Sequence, residues 1–145
     1  MDLHQCINFL LSVSQHKVFT YFRTCLEEYN LTPAQYGVLN CLWTEGKISP
    51  KRIGELLYLE APTVSGILDK MQKRELIERK VDSHNRRHVV VNSTEKAEQI
   101  RHVVEKITLE MDKTVLQNLS DQEKNVLKAG LLQIIQTDLF DGDPM

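Results

Sequence analysis

A mainly α-helical fold carrying one small β-hairpin is what these 145 residues predict, and three observations predict it. Apolar residues recur three or four positions apart over most of the chain, as they do along the buried stripe of an amphipathic helix. One stretch alone changes period: Ile77, Arg79 and Val81 alternate with Glu78 and Lys80, a polar tip Asp82-Ser83-His84-Asn85-Arg86-Arg87 follows, and Val89-Val90-Val91 returns as a β-branched run. Four prolines and six glycines leave few breaks, and several stand where a helix starts or stops.

The first element is read as one long helix over residues 3 to 29, with Leu3, Ile7, Leu10, Leu11, Val18, Phe22, Cys25, Leu26 and Tyr29 on its apolar side and no proline or glycine inside it. Thr32-Pro33-Ala34-Gln35 starts the next: Thr32 can cap, Pro33 suits the first helical turn, and Gln35 completes a capping box. Tyr36, Leu39, Leu42 and Trp43 give this helix its apolar face, and Glu45-Gly46 ends it. Lys47-Ile48-Ser49 leaves room for one or two strand residues. Ser49-Pro50 then repeats the cap-and-proline signature and opens a third helix, to about Tyr58, with Ile53, Leu56 and Leu57 inward. A short turn leads through Pro62 to a fourth helix, apolar at Val64, Ile67, Leu68 and Met71.

Two short helices joined by a tight turn, the second polar and followed by a basic hairpin, make a winged helix-turn-helix. After the hairpin, Thr94 caps a long helix bearing Ala97, Ile100, Val104, Ile107, Met111 and Val115. Ser120-Asp121-Gln122-Glu123 is a second capping box, opening a last helix with Val126, Leu127, Leu131, Ile134, Ile135 and Leu139. The organisation expected is therefore a winged lobe over residues 32–93, flanked by a helical region of residues 1–31 and 94–145. The flanking stripes are wide enough that a single chain has few partners for them, which points to a helical dimerisation lobe and a homodimer, with packing within a monomer as the alternative.

Charge separates along the chain. The formal net charge is −2, yet between Lys70 and His88 seven Lys or Arg stand against three acids, a local balance of +4. Such a concentration on one helix and one hairpin is the footprint of a polyanion site, although a charge run alone is as readily a solvated face. No apolar run reaches the 18 residues of a membrane span, and the N-terminus lacks the basic start and cleavage site of a signal peptide, so a cytoplasmic location without membrane partners is expected. Cys6, Cys25 and Cys41 are odd in number and lack metal-knuckle spacing, which points to reduced thiols rather than a disulfide framework. No phosphate loop, nucleophile elbow, metal-ligand cluster or paired-carboxylate motif is present, so neither catalysis nor a cofactor nor a metal is expected.

The order of elements and several motifs resemble the MarR family of bacterial transcriptional regulators over essentially the whole chain. The wing carries the most specific match, Asn85-Arg86-Arg87-His88-Val89-Val90-Val91-Asn92-Ser93-Thr94-Glu95-Lys96, similar to the family's Asp-x-Arg, alternating β-branched residues and Leu-Thr-Glu-Lys. Thr63-Val64-Ser65, Leu68-Asp69-Lys70-Met71 and Leu76-Ile77-Glu78-Arg79 match its recognition helix and the strand after it. Three positions depart from the pattern. Asn85 replaces the usual Asp at the wing tip, Glu75 replaces the Gly that closes the recognition helix, and Gly66 stands where a basic or bulkier residue is common, removing one base-edge contact.

The resemblance implies a regulator that binds double-stranded DNA as a homodimer on a pseudo-palindromic operator. Thr63, Ser65 and Lys70 then face the major groove and its edges, while Lys51, Arg52 and Lys73 meet phosphates. His84 and Arg86 at the wing tip enter the minor groove, and Arg87 forms a bracing salt bridge with Asp69. The two arginines can exchange these roles. Tyr58 either packs beneath the turn or reaches a phosphate, with packing the arrangement expected.

An input is also implied. Members of the family commonly bind small aromatic or phenolic effectors between the winged and helical parts, where this chain offers Phe9, His16, Tyr21, Phe22, Tyr36, Trp43 and Arg101. Each of these is more often plain core or surface than a ligand contact. The alternative input is oxidation, because the first helix and Gly54-Glu55-Leu56-Leu57-Tyr58-Leu59 are similar to the family's organic-peroxide sensors. Aligning Phe9-Leu10-Leu11-Ser12-Val13-Ser14 places Asn8 at the reactive position, and Cys6 falls two residues earlier, about 200° around a helix. Tyr21 and Tyr36 are the hydroxyls that could serve that thiol. A winged module that binds protein or RNA instead is told apart by its tolerance of substitution at Thr63 and Ser65.

Overall fold

In a computed structural model the chain is described over residues 1–82 and 84–140, the side chains of residues 85–87 excepted. Helices dominate, and one antiparallel hairpin interrupts them, as the change of period predicts.

The first helix is shorter than its apolar stripe suggests. Leu3–Gln5 form a 3-10 turn capped by Asp2, whose carboxylate accepts from the His4 amide at 3.0 Å. Cys6 is then extended at φ −80° and ψ 118°, and α1 runs Ile7–Leu26. Periodicity cannot register a single extended residue, whereas a side chain that bonds its neighbouring backbone competes with the helical pattern. A further 3-10 turn, Glu27–Tyr29, ends at Asn30 with φ 53°.

Local signals place the other helices. α2, Pro33–Glu45, begins with the reciprocal capping box of Thr32 and Gln35, at 3.1 and 3.2 Å. α3, Pro50–Leu57, is capped by Ser49, whose hydroxyl accepts from the Arg52 amide at 3.1 Å. α4, Ala61–Lys73, carries Pro62 in its first turn. The α3–α4 turn is tight enough that a Cβ on Gly54 would lie 2.9 Å from the Leu59 carbonyl oxygen, so only glycine fits there.

β1, Ile77–Asp82, pairs with β2, Asn85–Ser93, from Ile77↔Ser93 to Val81↔Val89. A bulge lies between Val81 and Asp82, beyond which Asp82 pairs with Asn85, so the strands take up much of the polar tip. Ile48 joins the hairpin as a single bridging residue, exchanging backbone hydrogen bonds with Val91 at 3.3 and 2.7 Å. That bridge pins the start of α3 to the wing. α5, Glu95–Val115, follows Thr94, which accepts from the Ala97 amide at 3.3 Å.

By packing, the chain divides into residues 1–111 and residues 112–145. The first unit has a continuous buried cluster in which Phe22 and Leu26 of α1 and Ala97 and Val104 of α5 meet Leu39, Ile53, Leu68 and Met71. One core thus spans the positions at which a winged lobe was expected to begin and end. Toward its N-terminus α1 exposes Ile7, Leu10 and Val13. In the second unit α6, Asp121–Gln136, starts from the capping box of Ser120 and Glu123, and Lys128 pairs with Asp112 near the end of α5. α6 buries none of its residues; Val126, Leu127, Leu131, Leu132, Ile134 and Ile135 remain exposed. No helix among the described residues is long and apolar enough to cross a membrane.

Candidate nucleic-acid interface

The fourth helix divides its faces by the spacing of its side chains. Val64, Leu68 and Met71 are buried, and this anchors the opposite side outward. Thr63, Ser65, Gly66, Asp69, Lys70 and Lys73 are all exposed. Thr63, Gly66, Lys70 and Lys73 recur at helical spacing and form one stripe of small and cationic groups. Nothing lies within 4 Å of the Cβ that Gly66 lacks, so the stripe is open at its middle.

Beside that stripe, Asp69 and Gln72 are held by a residue of the hairpin. Arg79 on β1 donates from Nε to Gln72 Oε1 at 2.6 Å and from its terminal nitrogen to Asp69 Oδ1 at 2.7 Å. Asp69 was expected to brace the wing through Arg87, whose side chain lies outside the described residues, as does that of Arg86. The partner observed is Arg79, which sequence reasoning passed over as part of a strand. Its signal was available: an arginine on the inward register of β1, close after a helix ending in hydrogen-bond acceptors.

The C-terminal end of α4 is fixed as firmly. Glu75 adopts φ 60° and its amide donates to the Gln72 carbonyl at 2.9 Å, while the Leu76 amide donates to Met71 at 3.0 Å. These two bonds are a Schellman ending, kept without the usual glycine. Thr94 Oγ1 donates to the Glu75 carbonyl at 2.6 Å and Lys96 Nζ to that of Arg74 at 2.9 Å. The Arg74 guanidinium reaches Gln35 Oε1 at 3.1 Å and the Tyr29 carbonyl at 3.5 Å. Gln35 is 7% exposed, so its amide oxygen, shared by Thr32 and Arg74, is a buried polar group fully used. Arg74 and Gln35 thus tie the C-terminal end of α4 to the start of α2, a role that their motifs did not disclose.

Other expected contacts are placed differently. Lys51 is exposed at the start of α3. Arg52 beside it is engaged: it donates to both oxygens of Glu45 at 2.9 and 3.1 Å and to Glu55 at 3.5 Å. Hydrogen bonding from Arg52 holds the Glu45 carboxyl below its usual range, and the same bonds raise Arg52. His84 is exposed, its amide donating to Asp82 Oδ1 at 3.0 Å. Tyr58 does not pack beneath the turn. Its ring is 71% exposed, because φ 57° at the end of α3 turns the side chain away from the core.

The aromatic residues considered for an effector fall into separate groups. Phe22 is buried and meets Tyr36 edge-on with ring centroids 5.4 Å apart. Trp43 is buried with the Arg101 guanidinium 5.8 Å from its ring centroid, and its Nε1 has no hydrogen-bond partner among the described residues. Tyr36 and Trp43, seven apart on α2, lie on the same side of that helix. Phe9 stacks edge-on against His4 at 5.6 Å, while His16 and Tyr21 are exposed further along α1. Cys6, half-buried, occupies the N-cap of α1. Tyr21 stands fifteen residues on, about 22 Å at the rise of a helix, and does not reach Cys6 along α1. The Tyr36 hydroxyl receives the Asn40 amide at 3.5 Å. Cys41 is buried, and burial, followed by the charge of Glu45, pushes its thiol up.

Comparison with known proteins agrees with this geometry. The model of the MarR family matches residues 31–89, from just before the start of α2 into β2. The organic hydroperoxide resistance transcriptional regulator of Bacillus subtilis is 29% identical over 139 residues, covering 94% of this chain and 92% of that one. The HTH-type transcriptional regulator MgrA of Staphylococcus aureus is 34% identical over 101 residues, 69% of each chain. Among solved structures, the transcriptional repressor CouR bound to a 23-mer DNA duplex superposes with a TM-score of 0.87 at 24% identity, covering 93% of this chain and 96% of that one. Bordetella bronchiseptica BpsR, solved to explain regulation of its DNA binding by 6-hydroxynicotinic acid, gives 0.86 at 20% identity over 92% and 95%. The chain belongs to the MarR family of winged-helix, DNA-binding transcriptional regulators, and so to a family of regulators rather than enzymes.

Proposed function

We propose that the protein is a repressor that binds a pseudo-palindromic operator as a homodimer and leaves it when a small aromatic or phenolic ligand binds. The observation that carries this reading is the outward face of α4, on which Thr63, Ser65, Lys70 and Lys73 stand clear of the core beside a wing strand fastened by Arg79. Thr63 and Ser65 read base edges, Lys51, Lys70 and Lys73 meet phosphates, and His84 and Arg86 extend the contact into the minor groove. Dimerisation is supported by apolar side chains left open on α1 and α6, more than a soluble monomer ordinarily leaves to water. A symmetric pair then presents two recognition helices about one DNA turn apart. The aromatic residues of α1 and α2 with Arg101, and the ligand named for BpsR, support an aromatic effector.

Peroxide is the second input to test, favoured by the hydroperoxide-resistance relative and by the position of Cys6 at the positive end of α1. Fluorescence anisotropy on the DNA upstream of the protein's own gene decides between them. Selective, salt-dependent binding relieved by phenolic compounds and indifferent to peroxide supports the effector reading. Loss on peroxide treatment with recovery on adding thiol moves the input to Cys6. Binding that does not distinguish this DNA from a scrambled duplex overturns the operator assignment, and a monomer by light scattering overturns the dimer.

A further inference from the structure

We infer that Tyr58 is a DNA-contacting residue, its phenol donating a hydrogen bond to a backbone phosphate at the flank of the recognition helix; this rests on the DNA-binding reading above. Nothing among the described residues accounts for a tyrosine at this position. With φ 57° it occupies the left-handed region, where glycine or asparagine is favoured over a bulky side chain. At 71% exposure its ring contributes little burial. Its hydroxyl has no hydrogen-bond partner among the described residues. Strain combined with exposure at one residue is the pattern of a group kept for a contact outside the chain.

The place supports that contact. Tyr58 lies at the end of α3 and borders the open groove between α3 and α4, together with Lys51 and with Ser65 of the recognition face. In helix-turn-helix proteins the helix before the recognition helix crosses the DNA backbone, and tyrosine hydroxyls are regular phosphate donors. The chemistry supports it as well. Glu55 and Glu60 line the same groove beside Lys51, and a carboxylate draws a neighbouring cation to itself where geometry allows, as Glu45 and Glu55 draw Arg52. A neutral donor escapes that capture and still bonds a phosphate oxygen, an anionic acceptor that strengthens the bond.

The test compares Tyr58→Phe and Tyr58→Gly with the unaltered protein on operator and on unrelated duplex DNA, at several salt concentrations. Removal of the hydroxyl is expected to weaken binding about tenfold on both DNAs, since a phosphate contact carries no sequence information. The slope of affinity against salt should stay unchanged, because no cation is lost. Tyr58→Gly is expected to bind as weakly while melting at a higher temperature, a combination that a merely structural tyrosine would not produce. Selective binding by the unaltered protein together with binding by Tyr58→Phe within twofold of it overturns the inference and leaves the regulator reading standing. A change in oligomeric state in either variant also overturns it, by placing Tyr58 between protein copies. Absence of selective binding by the unaltered protein overturns both.

Discussion

Arg79 on β1 grips Asp69 on α4 at 2.7 Å, and Gln72 one turn further along the same helix at 2.6 Å. The hairpin therefore cannot tilt away from the recognition helix without breaking two hydrogen bonds, one of them charge-assisted. Side-chain exposure of 27% for Arg79 and 54% for Asp69 keeps the pair wet, so its effect on stability is small and its effect on geometry is the larger one.

Replacing Arg79 with Met keeps the length of the side chain and removes both bonds. Stability is expected to fall by about 1 kcal/mol, whereas operator affinity falls about tenfold as the wing loses its angle. Combining it with Asp69→Asn should cost less than the two changes added, as for any interacting pair. Thermal melting and anisotropy together check this, and additive losses would detach Asp69 from Arg79.

Glu75→Gly should stabilise the protein. The left-handed conformation is already present at Glu75, with both Schellman hydrogen bonds made, so glycine relieves strain without altering the turn. A gain of about 1 kcal/mol is expected, raising the midpoint by about 3 °C at this size. A lower midpoint in calorimetry would mean that the Glu75 side chain contributes more than the strain it carries.

The lysines and the hydroxyl residues should separate by their response to salt. Lys70→Ala and Lys73→Ala are each expected to weaken binding on any duplex and to lower the logarithmic salt slope by about 1. Thr63→Ala and Ser65→Ala should leave the slope alone and erode the preference for operator over scrambled DNA by about 1–3 kcal/mol. Loss of preference in the lysine variants alone would reverse the assignment of the two groups.

Acid should weaken the fold partly through Glu45 and Glu123. Both carboxyls are held below the ordinary value of 4.5, Glu45 by Arg52 and Glu123 by the amide and hydroxyl of Ser120. Each is ionised in the folded chain at a pH where it would be protonated unfolded, so its stabilisation is complete above 4.5 and disappears as pH falls through the lowered folded value. Glu45→Gln and Glu123→Gln should each flatten the pH dependence of the melting temperature below that point. Glu45→Gln also leaves Arg52 with Glu55 as its remaining carboxylate partner, and a steeper salt slope in that variant would show the loosened guanidinium reaching phosphate.

Much of the architecture is written in short-range chemistry. Thr32 with Gln35, Ser49 before Pro50, Thr94 and Ser120 with Glu123 each cap the helix their spacing announces, because a cap depends on residues three positions apart. The change from helical to alternating period marks the hairpin for the same reason, since both periods follow from backbone geometry alone. The exposed face of α4 was legible too, as the complement of its buried stripe.

Tertiary structure decided the partners. Arg79 takes Asp69 from another element, Arg74 crosses to Gln35 and Tyr29, and Arg52 turns to Glu45; alternation along β1 places Arg79 inward, but no periodicity names the partner of any of the three. The break at Cys6 and the outward turn of Tyr58 belong to the same class. A long side chain has many rotamers of nearly equal energy and several charged groups within reach, so only the packed arrangement of helices and strands selects which pair forms.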